Sequence, residues 1–139
     1  MSKLPIGATA SFQTAVHPSD PNKRVFGRDL QEVEILNSSR TRKLFTLYNN
    51  HLKSLFGDDD DGGQGKIDND DRRTKQAVTI KRIVGKRMRS DARYVITGDM
   101  NDAPDTAPLS AMLNIDGNDL FDGLANPTEI GEMRDEKPG

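Results

Sequence analysis

Apolar positions along the chain fall into short runs whose spacing alternates between strand-like and helix-like, and each change of spacing predicts an element. "ATASFQTAV" (Ala8 to Val16) mixes small, β-branched and aromatic residues, then breaks at "HPSDPN", which predicts a strand followed by a loop. "RDLQEVEIL" (Arg28 to Leu36) sets Leu30, Val33 and Ile35 among charged residues in an imperfect period of two. "NSSRTRK" then turns the chain, and "LFTLYNNHL" (Leu44 to Leu52) alternates again, so the two runs predict an antiparallel pair with a short connection. From Asp58 to Asp71, "DDDDGGQGKIDNDD" has almost nothing to bury; residues 57–71 are expected to form a solvated acidic loop insertion. "RRTKQAVTIKRIVGKRMR" follows with Ala77, Ile80, Val84 and Met88 on one stripe and Ile83 beside it, a helix with Asp70 and Asp71 at its positive end. Gly85 inside it costs about 1 kcal/mol relative to alanine, which points to fraying or to close packing on a neighbour. "ARYVIT" (Ala92 to Thr97) fits a buried strand, Pro108 opens a short helix in "PLSAML", and "NDLFDGL" is a further strand candidate before a polar tail. This order of elements, without internal repeat, predicts a mixed α/β or α+β fold.

Composition narrows the picture without choosing a function. At 139 residues and 33% hydrophobic content, the chain suits one domain or part of one, not two. A net charge of −2 on 30% charged residues supplies no global field toward nucleic acid or an anionic membrane, so any electrostatic reading must be local. The absence of cysteine excludes a disulfide framework, a thiolate metal site and a cysteine nucleophile, and leaves the compartment open. The N-terminus "MSKLPIGATA" lacks the apolar core of a signal peptide, and no run approaches the ~20 apolar residues of a membrane span, so a soluble chain is expected.

Candidate chemistry concentrates in "YVITGDMNDAPD" (Tyr94 to Asp105), where an apolar run ends in a glycine and a cluster of carboxylates and a carboxamide. At the C-terminal end of a strand, such a loop is well placed to aim side chains into a crevice. If the extended conformation continues, Asp99 and Asn101 share a face, and a carboxylate beside an amide suits the generation of a hydroxide and the holding of an oxyanion. The same residues also fit a turn that satisfies its own backbone, and spacing alone does not separate the two. "YNNHLKS" adds His51, able to donate to a phosphate oxygen or shuttle a proton, with Lys53 nearby to complement negative charge. The cations from Arg72 to Arg89 read as the wet face of an outer helix, with no aromatic platform to accompany them.

Taken in order, "VFGRDLQEVEI", "LFTLYNNHLKS", "RRTKQAVTIKRIV" and "YVITGDMNDAPDTAPLSAML" resemble the endonuclease/exonuclease/phosphatase superfamily of DNase I-like proteins. That family shows a strand ending in His-Leu-Lys-Ser, an Arg and Gln-Ala bearing helix, and a strand ending in Gly-Asp-Phe-Asn followed by proline; here the last motif carries Met100, and "KLPIG" matches the family's early Pro-Ile segment. The resemblance implies part of a four-layer α/β sandwich, two packed mixed β-sheets flanked by helices. It implies a phosphoesterase dependent on Mg2+ or Mn2+ that hydrolyses a phosphodiester or phosphomonoester, in a nucleic acid or a phospholipid headgroup, by activated water. Asp99 would then orient or deprotonate the water and bind metal, Asn101 would hold phosphoryl oxygens and metal, and His51 would contact or protonate the phosphate. The family's metal-binding glutamate and its C-terminal Asp-His pair are not in this chain, so residues 1–139 look like the central part of the domain. A non-catalytic fragment or binding module of the same fold is the alternative. The acidic run offers another, a calcium loop with Asp60, Asp68 and Asp71 at positions one, nine and twelve. Gly62 at position three brings no ligand, position twelve lacks the bidentate glutamate, and no helix is expected before it, which favours a solvated insertion.

Overall fold

A computed structural model describes residues 3–55, 64–88 and 92–120, with strands β1 (Ile6–Ser11), β2 (Val16–His17), β3 (Asp20–Arg24), β4 (Gln31–Leu36) and β5 (Lys43–His51), helix α1 (Gln64–Arg87), and strands β6 (Tyr94–Asp99), β7 (Asn114–Ile115) and β8 (Asn118–Asp119). A 3-10 turn at Ser110–Met112 precedes β7. The expected hairpin is formed by β4 and β5, antiparallel with Val33 opposite Leu47 and Ile35 opposite Phe45. β1 adds to β4 antiparallel, and β6 adds to β5 in parallel, giving one mixed sheet in the order β1-β4-β5-β6. A parallel neighbour requires a long crossover, and α1 supplies it between β5 and β6. β2 with β3 and β7 with β8 form two short separate ladders.

The period-two alternation decides which side of the sheet meets the helix. Tyr48 is buried with Ala77, Ile80 and Val84 of α1, and its register partner Ile96 packs against the same cluster, which Phe26, Leu30, Leu52, Leu109, Met112 and Ile115 complete. The stripe expected on α1 is therefore its core face, with Ile83 and Met88 packed at the edge of that cluster. Gly85 does pack closely: a Cβ there would come within 2.8 Å of an Asp116 carboxylate oxygen. Val33, Phe45, Leu47 and Val95 alternate onto the other side, outside this core, and Val95 is left 47% exposed. At its last turn α1 is tied to the sheet by Arg87, which reaches a Glu32 oxygen at 3.0 Å and lies 4.9 Å over the Phe12 ring. Tyr48 sits in the same region, and its burial, with a hydrogen bond to Glu32, pushes the phenol well above its ordinary range.

Several boundaries differ from the sequence expectation. The first strand ends at Ser11, and "HPSDPN" is not a plain loop, because β2 and β3 pair across it with Pro21 inside a short two-stranded edge. The acidic insertion is corrected over its second half: Gln64 to Asp71 are the first two turns of α1. The polar residues there bond along the helix, Gln64 to Asp68 at 2.8 Å, Lys66 to Asp70 at 3.1 Å and Lys75 to Asp71 at 2.6 Å, all at a spacing of four. Asp68 and Asp71 thus stand on helical backbone rather than in a loop, while Asp60 lies outside the described residues, as does the rest of 57–63. β6 is an edge strand, not a buried one, with only Tyr94 and Ile96 half-buried. The fold is mixed α+β, and the described residues form one larger sheet with a single α-helix.

Candidate functional site

The C-terminal ends of the parallel strands β5 and β6 lie side by side, and their last residues, His51 and Asp99, are register partners. His51 Nε2 is 3.7 Å from Asp99 Oδ2, with both side chains open to solvent. The two candidates from separate motifs, 48 positions apart in the sequence, are therefore brought together by the parallel register alone. Arg28, from the loop before β4, donates to His51 Nε2. Sequence reasoning missed Arg28, which shows only as one cation among many in a loop.

Asn101 joins the pair by another route than the one expected. The extended conformation stops at Asp99, and Asn101 has a φ of 51°, the left-handed region that asparagine tolerates best among non-glycine residues. Asp99 Oδ1 accepts the Asn101 backbone N–H at 2.9 Å, which closes the turn. The Asn101 side chain then donates to the Leu52 carbonyl at 3.1 Å, while the Leu52 N–H donates to the Asp99 carbonyl at 2.9 Å. The same-face argument is corrected, yet the residues still converge, because the turn folds Asn101 back over the end of β5. Gly98 makes this approach possible: its φ is 126°, and a Cβ there would lie 1.8 Å from the Asn50 carbonyl oxygen.

Behind the strand ends, two residues of α1 hold the segment after His51. Gln76 accepts the Lys53 N–H at 2.8 Å and donates to the Val25 carbonyl at 3.1 Å. Arg73 is fully buried; it donates to the Lys53 carbonyl at 3.2 Å, pairs with Asp70, and places Nε 3.0 Å from Asp102 Oδ2. Asp102, which the sequence left as a loop residue, is thus the counter-ion of a buried guanidinium. Partial burial works to raise the Asp70 carboxyl, and the bonds from Lys66 and Arg73 outweigh it, holding that carboxyl below its ordinary range. Lys53 directs its ammonium to the Ser54 carbonyl at 3.1 Å.

As donors to a hard divalent ion, this strand end offers the Asp99 carboxylate and the Asn101 amide oxygen. Magnesium takes one or two carboxylates and completes its octahedron with water and substrate oxygens, so the pair fits as a partial donor set. Among the described residues no three His, Asp or Glu side chains gather into a metal cluster. A cleft of about 1040 Å³ opens beside His51, between the loop from Val25 to Arg28 and the first turns of α1; Asp99 and Asn101 are not among its lining residues. No described helix is long and apolar enough to cross a membrane. No family model, curated protein or solved structure matches the chain.

Proposed function

We propose that the chain carries the centre of a phosphoric ester hydrolase, with Asp99 positioning the attacking water, Asn101 holding a phosphoryl oxygen, and His51 with Arg28 contacting the phosphate. The supporting observation is the placement of His51 and Asp99 as facing terminal residues of two parallel strands, where open α/β sheets collect ligands. Phosphoryl transfer asks little covalent chemistry of a protein and much placed charge, which a carboxylate, an amide, an imidazole and a guanidinium supply. A magnesium or manganese ion on Asp99 and Asn101 would neutralise developing charge and lower the pKa of a bound water. The half-exposed apolar side of the sheet, with Val33, Phe45, Leu47 and Val95, supports the further reading that this unit is part of a four-layer sandwich, since a second sheet would cover it.

The test is hydrolysis of bis(p-nitrophenyl) phosphate with magnesium. Asp99→Asn and Asn101→Ala should each lower turnover by about 100-fold or more, the scale of losing an acid-base or oxyanion contact. Turnover close to the parent in both variants sinks the proposal. A second reading, a binding module without catalysis, draws on the same turn: Asp99 Oδ1 and the Asn101 amide are each spent on backbone groups. It predicts no magnesium-dependent hydrolysis by this chain together with retained affinity for phosphate esters.

A further inference from the structure

A second cleft, of about 580 Å³, opens at the opposite end of the sheet, where β5 and β6 begin. Thr46 faces Tyr94 here, and the register runs from that pair to His51 facing Asp99, about 16 Å away at about 3.3 Å per residue. Four cations line the cleft: Arg42 before β5, Lys43 on β5, Arg87 at the end of α1 and Arg93 before β6. No carboxylate of a described residue is among its walls. Lys43 is held by Glu34 at 3.1 Å and Arg87 by Glu32 at 3.0 Å, whereas Arg42 and Arg93 have no acidic partner among the described residues. The backbone of both is nevertheless anchored. The Asn37 N–H donates to the Arg42 carbonyl at 2.9 Å, Asn37 Oδ1 accepts the Arg42 N–H at 3.1 Å, and the Thr46 N–H donates to the Arg93 carbonyl at 3.0 Å. Residues 89–91 join two of the walls in the sequence and lie outside the described residues, so this charge balance is that of the described walls.

We infer that this cleft binds a small aromatic carboxylate, with Arg42 and Arg93 on its carboxylate group and Phe45, Met88 and Tyr94 against its ring. Two guanidinium groups on anchored backbone offer rigid forks of donors, the geometry that a planar carboxylate accepts. The helix limits the charge of the ligand. The C-terminal end of α1 brings partial negative charge to this end of the sheet, and Arg87, which offsets it, is already shared with Glu32. Two cations without acidic partners then suit one negative charge better than the double charge of a phosphate monoester. Phe45, Met88 and Tyr94 are half-buried, so each keeps apolar surface open to a ring, and the volume lies within the range of small-molecule pockets. None of these residues belongs to the His51 and Asp99 end of the strands, so the inference stands or falls apart from the phosphate-ester reading.

The experiment is titration of the 15N-labelled full chain with 2-naphthoate, followed by amide chemical shifts at constant ionic strength and in EDTA. For a ligand of about 13 non-hydrogen atoms a Kd of about 1 mM is expected, with the saturating shifts at Thr46, Arg93 and Tyr94. Arg42→Gln and Arg93→Gln should each weaken binding by about ten-fold, the scale of one charge-assisted hydrogen bond. Arg24→Gln, an equal charge change in the cleft beside His51, should leave the affinity within about two-fold. On the parent chain, 2-naphthalenemethanol, which has the ring without the charge, and acetate, which has the charge without the ring, should each bind at least about ten-fold more weakly. These comparisons of probes do not depend on the folding of any variant, and the dispersion of each variant's spectrum reports its fold. No saturation by about 10 mM, shifts confined to the His51 end, an equal loss in Arg24→Gln, or equal affinity for 2-naphthalenemethanol or acetate would each overturn the inference. Binding of 2-naphthyl phosphate about ten-fold tighter than 2-naphthoate would overturn the assignment to a carboxylate. Turnover of bis(p-nitrophenyl) phosphate, measured separately with magnesium, keeps the fate of the catalytic proposal distinct.

Discussion

Gly98 is the residue on which the geometry of the strand end depends most directly, and Gly98→Ala measures that dependence. A methyl group there would lie 1.8 Å from the Asn50 carbonyl oxygen, far inside contact, and the φ of 126° is one that L side chains rarely adopt. Strain of this kind costs about 1–3 kcal/mol. Relief requires β6 to move away from β5, which loosens the Asn50 amide bond to the Thr97 carbonyl at 2.8 Å and the Leu52 N–H bond to the Asp99 carbonyl at 2.9 Å, each worth about 1 kcal/mol net. Together these give a destabilisation of about 3–5 kcal/mol, or a fall in Tm of about 10–15 °C for a domain of this size. Urea unfolding followed by circular dichroism reads the first quantity, and a thermal melt the second. A loss below about 1 kcal/mol would show that β6 does not approach β5 this closely, and the convergence of Asp99, Asn101 and His51 would lose its foundation.

Two further outcomes follow from the network behind the site. Arg73→Met should destabilise by about 3–5 kcal/mol, because it strips the partner from Asp102 and a donor from the Lys53 carbonyl, and Arg73→Met with Asp102→Asn should cost less than the two changes added; additive losses in urea titration would deny that the pair is coupled. Asp70 has a folded carboxyl held below its ordinary value of 3.8, so its contribution is full above about pH 5 and is lost as pH falls through the lowered value; the stability gap between the parent and Asp70→Asn should therefore be present at neutral pH and close in acid, and a gap that widens in acid would reverse the assignment.

Where one periodicity governed a segment, the sequence was legible. Val33 and Leu47 announced two half-buried strands, and Ala77, Ile80 and Val84 announced the buried stripe of a helix, because burial of one face is what those patterns record. The start of α1 was not legible for the complementary reason. Gln64 to Asp71 bury almost no apolar surface, and what supports helix there is a set of polar pairs four residues apart, which in composition look like a solvated loop. Arg73 was equally hidden: its residue type belongs on surfaces, and besides Asp70 one turn before it, only the tertiary placement of Asp102 and the Lys53 carbonyl makes a buried guanidinium tolerable.

The candidate site was legible in its residues and not in its geometry. Period-two reasoning placed Asp99 and Asn101 on one face, and that reasoning fails beyond the end of β6, where Asn101 turns into the left-handed region after the positive φ of Gly98. What the sequence did hold was the reason for the failure: a glycine, then an aspartate and an asparagine, are the residue types that accept positive φ and close a turn on their own side chains. A turn and the proposed chemical centre are rival readings of the sequence, yet the geometry makes them compatible, because the turn brings the candidate residues together. Asp99 spends one carboxylate oxygen on the turn and keeps the other toward His51, and it is the turn that carries Asn101 back to the end of β5. A substitution such as Asp99→Asn therefore changes charge with little change of shape, which is why it isolates the chemistry of this strand end from its architecture.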